Sequence, residues 1–364
     1  MKTKRTHALW AIALVFIAAI FVSCEDDNDN NKIPGTYENG ILISNEGAWG
    51  AGNGSISYYS YDGDSITNKI FQNTNGRMLG DVIQDIETND DRIYIVVNAS
   101  NKVEVANRYT MEQRGTIEFL NNPRYAKVAN NGRLYVSQWG YKGKVHIFDG
   151  ESLEQIDSVE VGIGPEELLA YQNYVYVANG GGYGFDNTIS IIDTENNQQV
   201  TKITVGDCPK SMVMDANNKL WVLCHGYITY DANYNIASQT ASQLVQVDPQ
   251  TNEVVQTIDI SPTLHPAKLA IANDGKTLYY GGLGVQGIYA MDISETTAPT
   301  EPLIDIAAYG FGTEEERDVI YVGVAPSFTE SGKLVRFNYE GKQLGEYNVG
   351  VGPNGIGERN QPIY

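Results

Sequence analysis

Tyr174-Val175-Tyr176-Val177, Thr188-Ile189-Ser190-Ile191-Ile192-Asp193 and Gln199-Val200-Thr201-Lys202-Ile203-Thr204-Val205-Gly206 are the stretches that decide the fold. Each is short and rich in β-branched or aromatic residues, and each alternates with a period of two. Asn, Asp and Gly fill the gaps between them, as turns between strands require. With a short strand that follows Gly or Pro ahead of them, they read as four antiparallel strands. The second is centred on an aromatic and the third closes on Asp.

This unit recurs along the chain. Its aromatic strand returns as Arg92-Ile93-Tyr94-Ile95-Val96, Arg133-Leu134-Tyr135-Val136, Lys219-Leu220-Trp221-Val222, Thr277-Leu278-Tyr279-Tyr280 and Val319-Ile320-Tyr321-Val322, at spacings of 41 to 58 residues. Its third strand returns as Lys144–Asp149, Gln243–Asp248 and Gly287–Asp292. Repeats of this length build propellers or solenoids, and four short strands per repeat make one propeller blade. The first unit, Gly40-Ile41-Leu42-Ile43-Ser44 with Ser55-Ile56-Ser57-Tyr58-Tyr59, has no innermost strand before it. The C-terminal Val349–Ile356 is an innermost strand with no unit after it. Joining the two halves predicts a closed, all-β, seven-bladed propeller of four-stranded antiparallel blades. Closure hides the edges that an open sheet exposes, whereas an open solenoid would need polar caps. No helical periodicity is visible after the leader.

The leader is residues 1–23: Lys2, Lys4 and Arg5 precede an apolar run from Ala8 to Val22, the pattern of a signal peptide. Phe21-Val22-Ser23-Cys24 resembles a lipobox, which implies cleavage before Cys24 and lipidation of its thiol. Residues 24–38 open with Glu25-Asp26-Asp27-Asn28-Asp29-Asn30-Asn31, too polar to bury, and read as a solvated tether ahead of a propeller over 39–364. The tether resembles the acidic signal that exports some outer-membrane lipoproteins to the cell surface. A lipid anchor holds a protein at a membrane without spanning it. The formal charge is −20, and loss of Lys2, Lys4 and Arg5 takes it to −23. Nucleic acid is excluded as a partner on that charge, and so is an anionic membrane surface beyond the anchor.

In a propeller, the loops leaving the second strands and those entering the innermost strands crowd one face. The first set carries Trp49, Trp139, Tyr141, Tyr183, Tyr227 and Phe328, a candidate aromatic mouth for a bulky, partly planar ligand or a protein surface. The second carries Arg77, Asp81, Arg124, Glu166, Lys210, His265 and Asn354 as candidate polar groups around the channel, with Arg77 and Arg124 the candidate ligand contacts. Gly180-Gly181-Gly182 has no helix after it, so it is not a dinucleotide loop. His146, His225 and His265 lack metal-ligand spacing, and neither a metal nor a cofactor is expected. Cys208 and Cys224 flank a hairpin turning near Asp215-Ala216-Asn217; they are either a cross-strand disulfide or two buried free thiols.

Asn45-Glu46-Gly47, Ser57-Tyr58-Tyr59, Leu79-Gly80-Asp81-Val82, Ile95-Val96-Val97-Asn98, Pro123-Arg124-Tyr125 and Tyr135-Val136-Ser137-Gln138 resemble the YncE-like surface-layer propellers, and more closely the BtuG-type surface lipoproteins. The specific matches cover about the first third of the chain. The resemblance implies non-covalent capture of cobalamin or another corrinoid and its transfer to a TonB-dependent outer-membrane transporter. No nucleophile with a base, carboxylate pair or cofactor motif is legible, so no catalytic residue is assigned. A surface scaffold for glycan or protein is the competing expectation, with a propeller hydrolase or lyase behind it.

Overall fold

The structure, a computed structural model, describes residues 36–357 apart from 119, 141, 315 and 316. Cys24, the leader and residues 24–35 of the tether therefore lie outside the described residues, as does Tyr141; of the tether's remaining residues, Tyr37 is not solvated but packs on Tyr58 at 5.2 Å and donates its N–H to the Tyr109 carbonyl at 3.0 Å. Within them the chain forms seven four-stranded antiparallel sheets arranged as propeller blades, plus one two-stranded hairpin. The quoted unit is the fourth blade: Pro165–Tyr171 innermost, then Tyr174–Asn179, Thr188–Asp193 and outermost Gln198–Thr204. Its second and third strands are almost wholly buried, while the outermost alternates between exposed and half-buried positions, as an edge facing water must.

The repeating aromatic is a wedge between blades. Tyr94, Tyr135, Tyr176, Trp221, Tyr279 and Tyr321 all lie among the fully buried side chains. One core cluster joins Tyr176, Ile189 and Ile191 of the fourth blade to Met212, Leu220 and Val222 of the fifth. Each buried ring contributes about 1.5–3 kcal/mol of apolar burial, and its polar tip must find a partner. Tyr94 Oη donates to the Gly150 carbonyl at 2.9 Å, and Trp221 Nε1 to Asp215 Oδ2 at 2.9 Å.

Closure occurs as the sequence predicts. Pro353–Gly357 is the innermost strand of the first blade, pairing Ile43 with Ile356 and Ser44 with Gly355. One face of that blade packs on Tyr321 and Leu334 of the seventh blade, the other on Ile83, Ile93 and Ile95 of the second. Asn354 fastens the seam: its Oδ1 accepts from Ser44 Oγ at 2.8 Å, and its Nδ2 donates to the Ile83 carbonyl at 2.8 Å. The strand enters so tightly that a Cβ at Gly310 or Gly323 would fall 2.3 or 2.2 Å from the carbonyl oxygens of Asn354 and Pro353.

Two elements escape the sequence reading. Ile70–Asn75 is a single short helix that buries Ile70 and Phe71; six residues are too few for a helical period to register. Ile228–Tyr230 and Ile236–Gln239 form a hairpin inserted between the second and third strands of the fifth blade, which accounts for part of the long spacing there.

The disulfide alternative for Cys208 and Cys224 is overturned: both are buried free thiols. Cys224 faces Pro209, and a bulge between Pro209 and Ser211 shifts the register away from a Cys208–Cys224 pair. Cys208 itself takes φ 52°, carrying it out of the strand. Burial pushes the Cys208 thiol up to about 11 and Cys224 higher still. Cys208 and Cys224 of the folded protein at pH 7 are therefore expected to react very slowly with a thiol reagent, and the melting temperature to be the same with or without reductant, as thiolate is the reactive form. A reductant-dependent melting temperature would contradict this assignment.

Candidate functional site

The strands that build the scaffold also place its ligand groups. Every innermost strand starts on one face, so the residues at its first positions meet at the channel mouth. There, Gln84, Arg124, Glu166, Lys210, Lys268 and Asn354 line a cavity of about 230 Å³, which Glu46, Trp139 and Tyr309 enter from the surrounding loops. Arg124 is the hub. Its Nε donates to Glu166 Oε2 at 3.0 Å, another guanidinium nitrogen bonds Gln84 Oε1, and its plane lies 4.3 Å from the Trp139 ring centroid. Lys210 Nζ reaches the other Glu166 oxygen at 2.7 Å. Burial opposes the Glu166 charge, but Arg124 and Lys210 outweigh it and hold the carboxyl below its usual range. Glu46 goes the other way: burial raises it in spite of its bond from Tyr309 Oη and the nearby Arg124 and Lys268.

Above this floor stands an aromatic rim. Trp49 is 76% exposed, Tyr183 90% and Phe328 47%. Edge contacts link the rings: Tyr183 to Trp139 at 5.1 Å, Phe185 to Tyr227 at 5.0 Å and Phe328 to Tyr309 at 5.4 Å. Neighbour packing and exposure thus coexist, each ring resting an edge on the next loop and keeping surface free. The Trp49 loop is held by Asp81, whose Oδ2 accepts from Gly50 N at 2.6 Å. Of the sixteen exposed large apolar side chains among the described residues, Trp49, Ile163, Tyr183, Phe185, Leu283 and Phe328 stand on loops that leave second strands or enter innermost ones, and Tyr230, Tyr234 and Ile236 on the hairpin inserted in one such loop. Apolar side chains grouped on one face, rather than scattered singly, are a common feature of interaction surfaces.

Not every sequence candidate reaches the mouth. Arg77 does not line the cavity: it bonds Glu104 Oε1 at 2.6 Å and stacks on Phe71 at 5.0 Å. Glu104 is fully buried and draws both Arg77 and Lys102 to neutralise it, which removes Arg77 from the channel. His265 is likewise committed elsewhere, its ring nitrogens contacting the His225 carbonyl at 2.6 Å and Gln239 Oε1 at 3.1 Å. Gln84, Tyr125, Lys268 and Tyr309 were missed. Tyr125 and Lys268 stand two residues after Pro123 and Pro266, as Glu167 does after Pro165, a register that could have found them, whereas Gln84 follows Ile83 with no Pro to mark it.

Deeper in the channel a second cavity, about 250 Å³, shares Tyr125 and Lys268 with the first and is walled by Asp85, Glu87 and Glu167. These carboxylates staple successive innermost strands: Asp85 Oδ2 accepts from Ala126 N at 2.9 Å, Glu87 from Val128 N at 3.0 Å, and Glu167 from Ser211 Oγ at 2.6 Å. Burial outweighs these bonds and lifts Asp85 to about 6 and Glu167 to about 7. Both pKa values lie above those of the unfolded chain. Their stabilisation is therefore complete below about pH 4 and is lost as pH rises through 6 and 7, on the order of 3 kcal/mol each. Melting temperature is expected to fall between pH 5 and pH 8, with a flatter slope in an Asp85→Asn, Glu167→Gln double variant. Equal slopes in both proteins would contradict the assignment.

Among the described residues no group of three or more His, Cys, Asp or Glu side chains could hold a metal ion, and no helix is long and apolar enough to cross a membrane.

A family described as Domain of unknown function (DUF5074) matches residues 39–349, and the chain belongs to that family. No curated protein matches it. Among solved structures, it is similar to a quinoprotein alcohol dehydrogenase-like protein from Bacteroides thetaiotaomicron, at TM-score 0.65 and 12% identity over 88% of this chain and 78% of that one. It is similar to a functionally unknown protein from Desulfotomaculum acetoxidans at TM-score 0.65 and 10% identity, over 88% and 100%. Hydrazine synthase of Kuenenia stuttgartiensis follows at TM-score 0.52 and 16% identity, over 70% and 76%. At these identities the likeness is one of fold.

Proposed function

We propose that this propeller is a receptor. In this reading it is an outer-membrane lipoprotein held at the cell surface through Cys24, which captures a corrinoid on its aromatic face and passes it to a TonB-dependent transporter. The observation that carries the reading is the concentration of exposed apolar side chains, Trp49, Tyr183 and Phe328 foremost, around one mouth. Rings present large flat contacts at low rotamer cost, which suits a broad and partly planar ligand. A cavity of about 230 Å³ is small beside the 300–1,000 Å³ of enclosed ligand pockets, so a macrocycle would lie across the rim and send only a substituent down the channel. The corrinoid itself is named by the resemblance of residues 45–138 to surface cobalamin-binding propellers. No catalytic step is assigned.

The competing reading, a surface scaffold for glycan or protein, draws support from the inserted hairpin, whose Tyr234 is 90% exposed beside Tyr230 and Ile236. Two immobilised probes separate the readings. The receptor reading expects the chain freed of its leader to be retained on cyanocobalamin-agarose, to be released by free cyanocobalamin, and to be indifferent to a glycan array. Retention on glycans with none on the corrinoid resin would overturn it.

A further inference from the structure

Cations gather at the mouth of an acidic molecule. The chain carries −20 overall, and the mouth cavity gathers three cations, Arg124, Lys210 and Lys268, beside two carboxylates, Glu46 and Glu166, while Lys268 also faces Asp85 and Glu167 of the cavity below. Glu166 is shared by Arg124 and Lys210. Lys268 has no carboxylate within 4.0 Å among the described residues. Its hydrogen bond runs to Tyr125 Oη at 3.4 Å, with the same ring 5.2 Å away. Trp139 adds an unused donor, because its Nε1 is buried with no partner among the described residues. Buried donors left without acceptors are rare in folded proteins and costly, and an acceptor-bearing ligand is one way to satisfy them. Low-dielectric walls strengthen the field that such cations present to a group entering the mouth.

We infer that the channel mouth is an oxyanion site, in which Lys268, Arg124 and the Trp139 indole hold a phosphate or carboxylate group. A cavity of about 230 Å³ holds several times the roughly 30 Å³ of one water, room for such a group but not for a large ligand. The occupant is a free ion or the anionic substituent of whatever lies on the rim. Cyanocobalamin carries one such group, its phosphodiester, and dicyanocobinamide carries none. Only that second source rests on the receptor reading above.

Sodium phosphate titrated into the leaderless chain at constant ionic strength, with heat and Trp fluorescence recorded, tests the inference. Saturable one-to-one binding is expected in the wild-type chain. Losing a charge-assisted bond costs about 1.5–3 kcal/mol, so Lys268→Met should weaken binding about tenfold or more. Lys268→Arg should retain it, and Lys342→Met, an exposed site away from the channel, should leave it unchanged. Absence of saturable binding to the wild-type chain would overturn the inference even if Lys268→Met failed to fold. Equal losses in Lys268→Met and Lys342→Met would overturn it too. Phosphate competition with cyanocobalamin but not with dicyanocobinamide makes the phosphodiester the occupant; no competition makes it a free ion. Phosphate binding without corrinoid binding leaves the oxyanion site standing and removes the corrinoid reading, and the reverse result does the opposite.

Discussion

A chain ending at Gly352 is expected to lose its cooperative unfolding transition rather than fold as a six-bladed ring. Residues 353–357 are only five, but they form the innermost strand of the first blade, and that blade buries both faces against its neighbours. Without them, Gly40–Asn45 becomes an open edge, still paired with Ser55–Ser60 on one side but with no partner on the other, and its side chains are almost all buried. An unpaired, apolar edge invites aggregation. A single substitution probes the same seam more gently. Asn354→Ala strips the Ile83 carbonyl and the Ser44 hydroxyl of their buried partner, at about 1–3 kcal/mol for each group left unsatisfied. Thermal melts followed by circular dichroism read both variants. A truncated chain that melts cooperatively at the wild-type temperature would contradict closure by this strand.

The second large effect is expected on binding. Trp139 supports Arg124 on its face and receives Tyr183 on its edge, so Trp139→Ala removes a contact surface and loosens two other groups at once. Central aromatic anchors of this kind cost 2 kcal/mol or more when truncated, so corrinoid affinity should drop by about thirtyfold or beyond. Trp49→Ala removes an outlying ring and should cost less, about tenfold, while leaving the melting temperature nearly unchanged because its side chain is exposed. Trp221 supplies the contrast. It is fully buried between blades, so Trp221→Ala should cost about 3–5 kcal/mol of stability and tell nothing specific about the mouth. Unchanged corrinoid affinity in both Trp139→Ala and Trp49→Ala would move the site off this face.

Legibility in the sequence followed the physics of each feature. Blades were readable because a half-buried strand must alternate and a blade must turn, so Tyr176, Trp221 and Tyr321 announce the same wedge each time. The two complementary ends were readable for the same reason. The helix at Ile70–Asn75 was not, because its two buried residues show no period. At the mouth, loop position alone grouped Trp49, Trp139, Tyr183, Tyr227 and Phe328 on one face. It could not tell that Glu104 would claim Arg77, since that pairing is set by a buried charge on a neighbouring strand. Lys268 escaped because the chain reaches its innermost strand there through His265-Pro266-Ala267 instead of the usual Gly-containing turn. The Cys208–Cys224 register failed at one bulge, the irregularity that also follows Pro123 and Pro165 at the start of their innermost strands.

The receptor account stands most directly on one calorimetric titration of the leaderless chain with cyanocobalamin. It predicts a saturable one-to-one isotherm at micromolar concentration or below, lost together with the aromatic mouth in Trp139→Ala. A flat isotherm with folded wild-type protein at micromolar concentration would contradict it.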